Sequence, residues 1–123
     1  MRTKITSYKK LILLFTFCLI IGTSYAKTVI FYDENNSQIL LLDDINRVVK
    51  CSKIYPYPLE IYDSTNSGNR LILYCMYNFS PNIPGGRFCF EIDSEKIVIY
   101  SYDSIGQQWI KLRTYKISNI SEN

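Results

Sequence analysis

Arg87-Phe88-Cys89-Phe90-Glu91-Ile92-Asp93-Ser94-Glu95-Lys96-Ile97-Val98-Ile99-Tyr100-Ser101-Tyr102 is the stretch on which the fold turns. Phe88, Phe90 and Ile92 recur at every second position, the period of an extended chain with one face buried. Asp93-Ser94-Glu95 is polar and short enough for a tight turn, and an apolar, β-branched run follows at once. Two strands around a tight turn make an antiparallel hairpin.

The same grammar extends in both directions. Short apolar and aromatic runs, broken by Asn, Ser, Asp, Gly and Pro, predict strands near Thr28–Tyr32, Gln38–Leu42, Leu59–Tyr62, Arg70–Tyr77, Arg87–Ile92, Lys96–Tyr102 and Gln108–Ile117. In the last of these Trp109 is expected in the core. Loops are expected at Asp33–Ser37, Asp63–Asn69, Asn78–Gly86 and Asp103–Gly106, and a frayed tail after Ser118. Tyr55-Pro56-Tyr57-Pro58 is extended but outside a central strand, because proline lacks the ladder donor. Asp43 and Asp44 ahead of Ile45, Val48 and Val49 fit one helical turn, and Asn46–Cys51 reads equally as a strand. The fold class is all-β, a small antiparallel sandwich or barrel of about seven to eight strands.

Residues 1–26 read differently. Lys9 and Lys10 precede an apolar run from Leu11 to Ile21, and Gly22-Thr23-Ser24-Tyr25-Ala26 follows. A charged start, an apolar middle and small residues at the end are the parts of a secretory signal peptide, with the cut expected after Ala26. The run is too short to span a bilayer, which takes about 20 residues. The expectation is a secreted single domain, residues 27–123, with no membrane span. The leader holds Arg2, Lys4, Lys9 and Lys10 and no acid, so residues 27–123 carry ten basic and eleven acidic side chains. Without a basic surplus or a Lys/Arg cluster, nucleic acid is excluded as the main partner.

Three hairpins look alike. Each opens on a strand ending in tyrosine: Val29-Ile30-Phe31-Tyr32, Leu59-Glu60-Ile61-Tyr62 and Ile97-Val98-Ile99-Tyr100. Each crosses a polar turn and returns on an apolar strand. Tyr62-Asp63-Ser64-Thr65-Asn66-Ser67-Gly68-Asn69-Arg70, and Tyr100 to Gln108 with Gly106, resemble the βγ-crystallin Greek-key motif, in which an aromatic begins a folded hairpin and a glycine follows in the turn. The resemblance implies a Greek-key sandwich and, as an alternative function, a calcium-binding module. Asp33, Glu34, Asp63 and Asp103 on loops are the hard oxygen ligands such a site would use.

The chain has no histidine. Ser-His-Asp and Cys-His catalysis and paired-histidine zinc chemistry are therefore excluded. No C-x-x-C spacing and no phosphate-binding glycine loop occur either. Carboxylate chemistry survives: Glu91, Asp93 and Glu95, or Asp43 and Asp44, are what a small glycosidase would use, though a solvated sheet edge is the blander reading. Cys51, Cys75 and Cys89 remain after the leader, an odd number in an oxidising compartment. One disulfide with a leftover thiol is expected, the leftover being either a small buried hydrophobe or a bond to another chain. Strand parity turns Cys75 inward and puts Cys89 on the other face with Arg87 and Glu91. Asn35, Asn78 and Asn119 begin Asn-x-Ser sequons. The aromatics that flank loops, Tyr55, Tyr57, Tyr77 and Phe79, are the candidate contacts to a protein or carbohydrate partner. The functional expectation is a small non-enzymatic secreted protein that binds a partner as an effector, toxin-like or surface-recognition domain.

Overall fold

In the computed structural model, which describes residues 2–4, 28–77 and 86–122, every regular element is a strand. These are β1 (Arg2–Lys4), β2 (Thr28–Tyr32), β3 (Gln38–Asp43), β4 (Val48–Lys50), β5 (Leu59–Ser67), β6 (Arg70–Met76), β7 (Arg87–Ile92), β8 (Lys96–Asp103), β9 (Gln108–Lys116) and β10 (Asn119–Glu122). All belong to one antiparallel sheet in the order β1-β10-β2-β3-β4-β5-β6-β7-β8-β9. The expected Greek key is not the pairing seen. From β2 to β9 each strand lies beside its sequence neighbour, and β10 alone returns, to the far side of β2. The short Asp-led turns explain the meander, since they leave each new strand beside the last.

One face of this sheet supplies the core. Leu71, Leu73 and Cys75 of β6, Phe90 and Ile92 of β7, and Ile97 and Ile99 of β8 are buried with Val29, Phe31, Leu40, Leu42, Val49, Leu59, Ile117 and Ile120. A single sheet can bury so much of one face only by curling over it. Two consecutive amides pin the curl. Ile117 N–H donates to the Glu95 carbonyl beside β8, and Ser118 N–H donates to the Tyr32 carbonyl at the end of β2, both at 2.8 Å. The chain thus steps from one end of the sheet to the other, and the roll stays unclosed along its length.

Aspartates start the turns. The Asp33 carboxylate accepts the amides of Asn35 and Ser37, and that of Asp43 the amides of Ile45 and Asn46. Asp93 accepts those of Glu95 and Lys96, and Asp103 that of Ile105. These side-chain acceptors replace backbone partners that a reversing chain cannot reach. Register shifts fall beside the three repeated tyrosines: Ile39 is the extra residue opposite Phe31 and Tyr32, Tyr62 is itself extra between Ile61 and Asp63, and Leu112 is extra opposite Ile99 and Tyr100. Each marks a bulge, which bends the sheet and re-aims the neighbouring side chain.

Several expectations need correction. Asp63–Asn69 is not a loop: β5 runs on to Ser67, and the turn is the tight pair Gly68-Asn69, with Gly68 at φ 67°. Its polar residues lie on a solvated strand extension, which composition alone does not separate from a loop. Asp44–Arg47 is a turn that leads into β4, without a helix. The tail is not frayed, because Ile120 is buried and β10 pairs with β2. No disulfide forms among the described residues: Cys51, Cys75 and Cys89 are all free and buried. Cys75 faces the core and Cys89 the opposite face, so sheet parity itself keeps that pair apart. The sequon residue Asn119 sits inside β10 between β1 and β2, while Asn35 is exposed in a turn. The loop over Asn78–Gly86, with Phe79 and Asn78, lies outside the described residues, as does the expected cut after Ala26.

Candidate functional site

Aromatic side chains gather in two places. Three of the expected binding residues, Tyr55, Tyr57 and Tyr77, do come together, at one end of the roll. The amides of Ile54 and Tyr55 both donate to the Cys51 carbonyl, a turn that folds Tyr55 back onto Tyr77 with ring centroids 4.6 Å apart. Tyr57 lies parallel to Tyr77 at 6.0 Å, and Phe88 meets Tyr55 at the same distance. Burial and a hydrogen bond to Tyr77 push the Tyr55 hydroxyl up to about 12. Tyr55, Tyr77 and Phe88 pack on the core, leaving Tyr57 the exposed member. This cluster closes an end of the core and bounds a hollow of about 300 Å³ with Lys50, Ser52, Pro56 and Pro58.

The second cluster owes nothing to the core. It lies on the outer face of β5–β9, where the registers place Tyr74 opposite Cys89 and Cys89 opposite Tyr100. Tyr102 stands opposite Trp109 one row away. The Tyr62–Tyr74, Tyr74–Trp109 and Tyr102–Trp109 ring pairs have centroids 6.3, 5.8 and 5.1 Å apart. The Arg87 guanidinium sits 5.7 Å over the Tyr102 ring. Trp109 was expected inside. It stands instead on an edge strand, 36% exposed, since among the described residues β9 pairs with β8 alone.

Cys89 makes this face concave. It is the small residue in a row of large ones, so a hollow of about 280 Å³ opens above it, walled by Tyr74, Tyr100 and Trp109. Those rings also bury the thiol from outside, and desolvation, ahead of the nearby Glu91 charge, pushes it up to about 12. At the rim Tyr100 O–H donates to Glu91 Oε1 at 2.9 Å, and Arg70 Nη1 lies 3.9 Å from Glu91 Oε2. The bond to Glu91 raises the Tyr100 hydroxyl further, so it stays a donor at neutral pH. No protein family, curated protein or solved structure matches this chain.

The acidic candidates for catalysis and calcium are dispersed by the fold. Asp93 holds the β7–β8 turn and Asp33, Asp43 and Asp103 hold others. Glu91 is the one carboxylate that lines the hollow over Cys89. Among the described residues no three acidic or cysteine side chains converge as metal ligands. No described helix is long and apolar enough to cross a membrane. Parity within the strands already separated Tyr74, Cys89 and Glu91 from the core positions. What the sequence lacked was the register that sets them side by side.

Proposed function

We propose that this chain is a non-catalytic recognition domain that binds a saccharide on the outer face of β6–β9, exported by way of residues 1–26. One observation carries the reading: rings of Tyr74, Tyr100 and Trp109 wall a hollow with a carboxylate and a tyrosine hydroxyl at its rim. A pyranose has an apolar C–H face and a belt of hydroxyls. The rings suit the first and Glu91 with Tyr100 the second. The volume is at the lower end for small-ligand sites, sized to one ring rather than a long chain. Hydrolysis is disfavoured because the two-carboxylate mechanism needs a second acid across the hollow, and Glu91 stands there without one.

Trp109 is the sole tryptophan of the chain, so its fluorescence reports on this site alone. A glycan array on residues 27–123 selects the sugar, and titration of the bound glycan should quench or shift that emission. Trp109→Ala and Cys89→Leu, which remove a wall and fill the floor, should abolish array binding while the thermal melt stays cooperative. An array with no bound glycan, or binding that survives both substitutions, would overturn the reading.

A further inference from the structure

The charges around the hollow over Cys89 are unequal. β7 sends Arg87, Cys89 and Glu91 in turn to the outer face, so the hollow lies between a cation and a carboxylate. At about 3.3 Å per residue, each charged residue stands roughly 7 Å along the strand from Cys89. Lys111 shares that face, directly opposite Tyr100. The Glu91 end is already satisfied: Oε1 accepts the Tyr100 O–H and Oε2 faces Arg70. The Arg87 end is not. Arg87 and Lys111 are exposed, and neither makes an ion pair among the described residues. Two more carboxylates, Glu60 and Asp63, stand on β5 opposite Met76 and Tyr74, and Asp63 accepts the amide of Ser64. They are two strand spacings from β7, about 10 Å, where salt screens most of their charge.

Arg87 is also held in place. Its guanidinium lies 5.7 Å over the Tyr102 ring, and Tyr102 abuts Trp109, a wall of the hollow. A guanidinium held against a ring keeps N–H groups free for the two parallel bonds that a carboxylate accepts. Building on the saccharide reading, and resting on it, we propose that the sugar is acidic. It is a hexuronate whose ring sits among Tyr74, Tyr100 and Trp109 and whose carboxylate meets Arg87, with Lys111 adding attraction. Its hydroxyls face Glu91 and Tyr100 at the other end. Three aromatic walls and one carboxylate would otherwise suit a cationic ligand. Here Arg70, Arg87 and Lys111 flank the rings against a single Glu91 that is already paired, and a cation is repelled.

The probes are three forms of one ring: the uronate, its parent hexose and the corresponding amino sugar, in the gluco, galacto and manno series. Each is titrated at low salt into the full chain and read by Trp109 emission. Within a series that binds, the uronate should bind at least about tenfold more tightly than its parent, and the amino sugar most weakly. That margin should shrink as salt is raised. Arg87→Gln should bring the uronate down to the level of its parent hexose while the thermal melt stays cooperative, and Lys111→Gln should do so in part. Equal affinity of uronate and parent, or a margin that survives Arg87→Gln, would overturn the proposal and leave the saccharide reading standing. Acetate alone matching the uronate would overturn it too, because the ring would then contribute nothing. Silence from every sugar in all three series would remove the saccharide reading itself, and the proposal with it.

Discussion

Asp44 is the buried charged side chain of the described core, 8% exposed, with Oδ1 lacking a hydrogen-bond donor. Arg47 Nη1 approaches that oxygen at 3.5 Å, and Arg47 itself has φ 56°. Burial raises the Asp44 carboxyl above its ordinary 3.8, and the Arg47 charge only partly opposes this. The folded state thus holds the proton more tightly than the unfolded chain. Stability from this group is present below pH 3.8 and lost as pH rises through the folded value, so the ionised carboxylate is a net cost at neutral pH. Asp44→Asn is expected to raise stability at pH 7 by about 1 kcal/mol, an advantage over the natural chain that shrinks as pH falls toward 3.8 in a urea-melt series. A loss of stability on that substitution would show that the Arg47 pair outweighs burial. The thiols obey the same sign at the other end of the scale. Desolvation lifts Cys51 to about 11 and Cys89 to about 12, and lifts Cys75 as well. Alkylation by iodoacetamide at pH 8 should leave all three untouched in the folded protein and modify them in denaturant. Melts should weaken as pH climbs from 9 toward 11, where the unfolded thiols ionise ahead of the folded ones.

At the scale of elements, turns decide which strands meet. Asp93 Oδ1 accepts the Glu95 and Lys96 amides at 2.7 and 2.9 Å, and Asp93 N–H donates to the Lys96 carbonyl. Asp93→Ala should lower stability by about 1 kcal/mol in chemical denaturation without changing the circular-dichroism spectrum. Gln107, ahead of β9, holds φ 53°, a region that costs a side chain about 1 kcal/mol. Gln107→Gly should therefore stabilise the β8–β9 hairpin, read as slower exchange of its amides. The central strands were legible because Leu71-Leu73-Cys75 and Phe88-Phe90-Ile92 alternate cleanly. The three tyrosine hairpins were legible too, and the structure adds a register shift at each one. β4 lies within the Asn46–Cys51 strand that read equally as a helical turn, whereas β10 escaped because four residues show no period and carry sequon-like polarity around a buried Ile120. The disulfide expectation failed because an odd set of cysteines says how many thiols exist and nothing of which face each occupies. Trp109 was misplaced for a related reason: alternation gives a residue its parity, but not whether its strand lies at an edge.

For the whole molecule, the question is what keeps a ten-stranded roll curled when its two end strands do not pair. Among the described residues β1 pairs with β10 alone, through three residues, and the described core is built from β2–β8 with Ile117 and Ile120. A chain beginning at Lys27 should therefore keep the strand-dominated circular-dichroism spectrum and a single cooperative melt, with β10 as the new edge. The opposite truncation should not be tolerated. A chain ending at Lys116 loses the two amides that bridge Glu95 and Tyr32, and leaves two fully buried isoleucine positions empty. Each buried isoleucine is worth about 2–5 kcal/mol, against a total of roughly 5–15 kcal/mol for a domain of this kind. The shortened chain is expected to lose cooperative unfolding and to bind a hydrophobic dye such as ANS. If instead it melted like the full chain, the bridge at Ile117 and Ser118 would be incidental. The curl would then have to come from the three bulges at Ile39, Tyr62 and Leu112 alone.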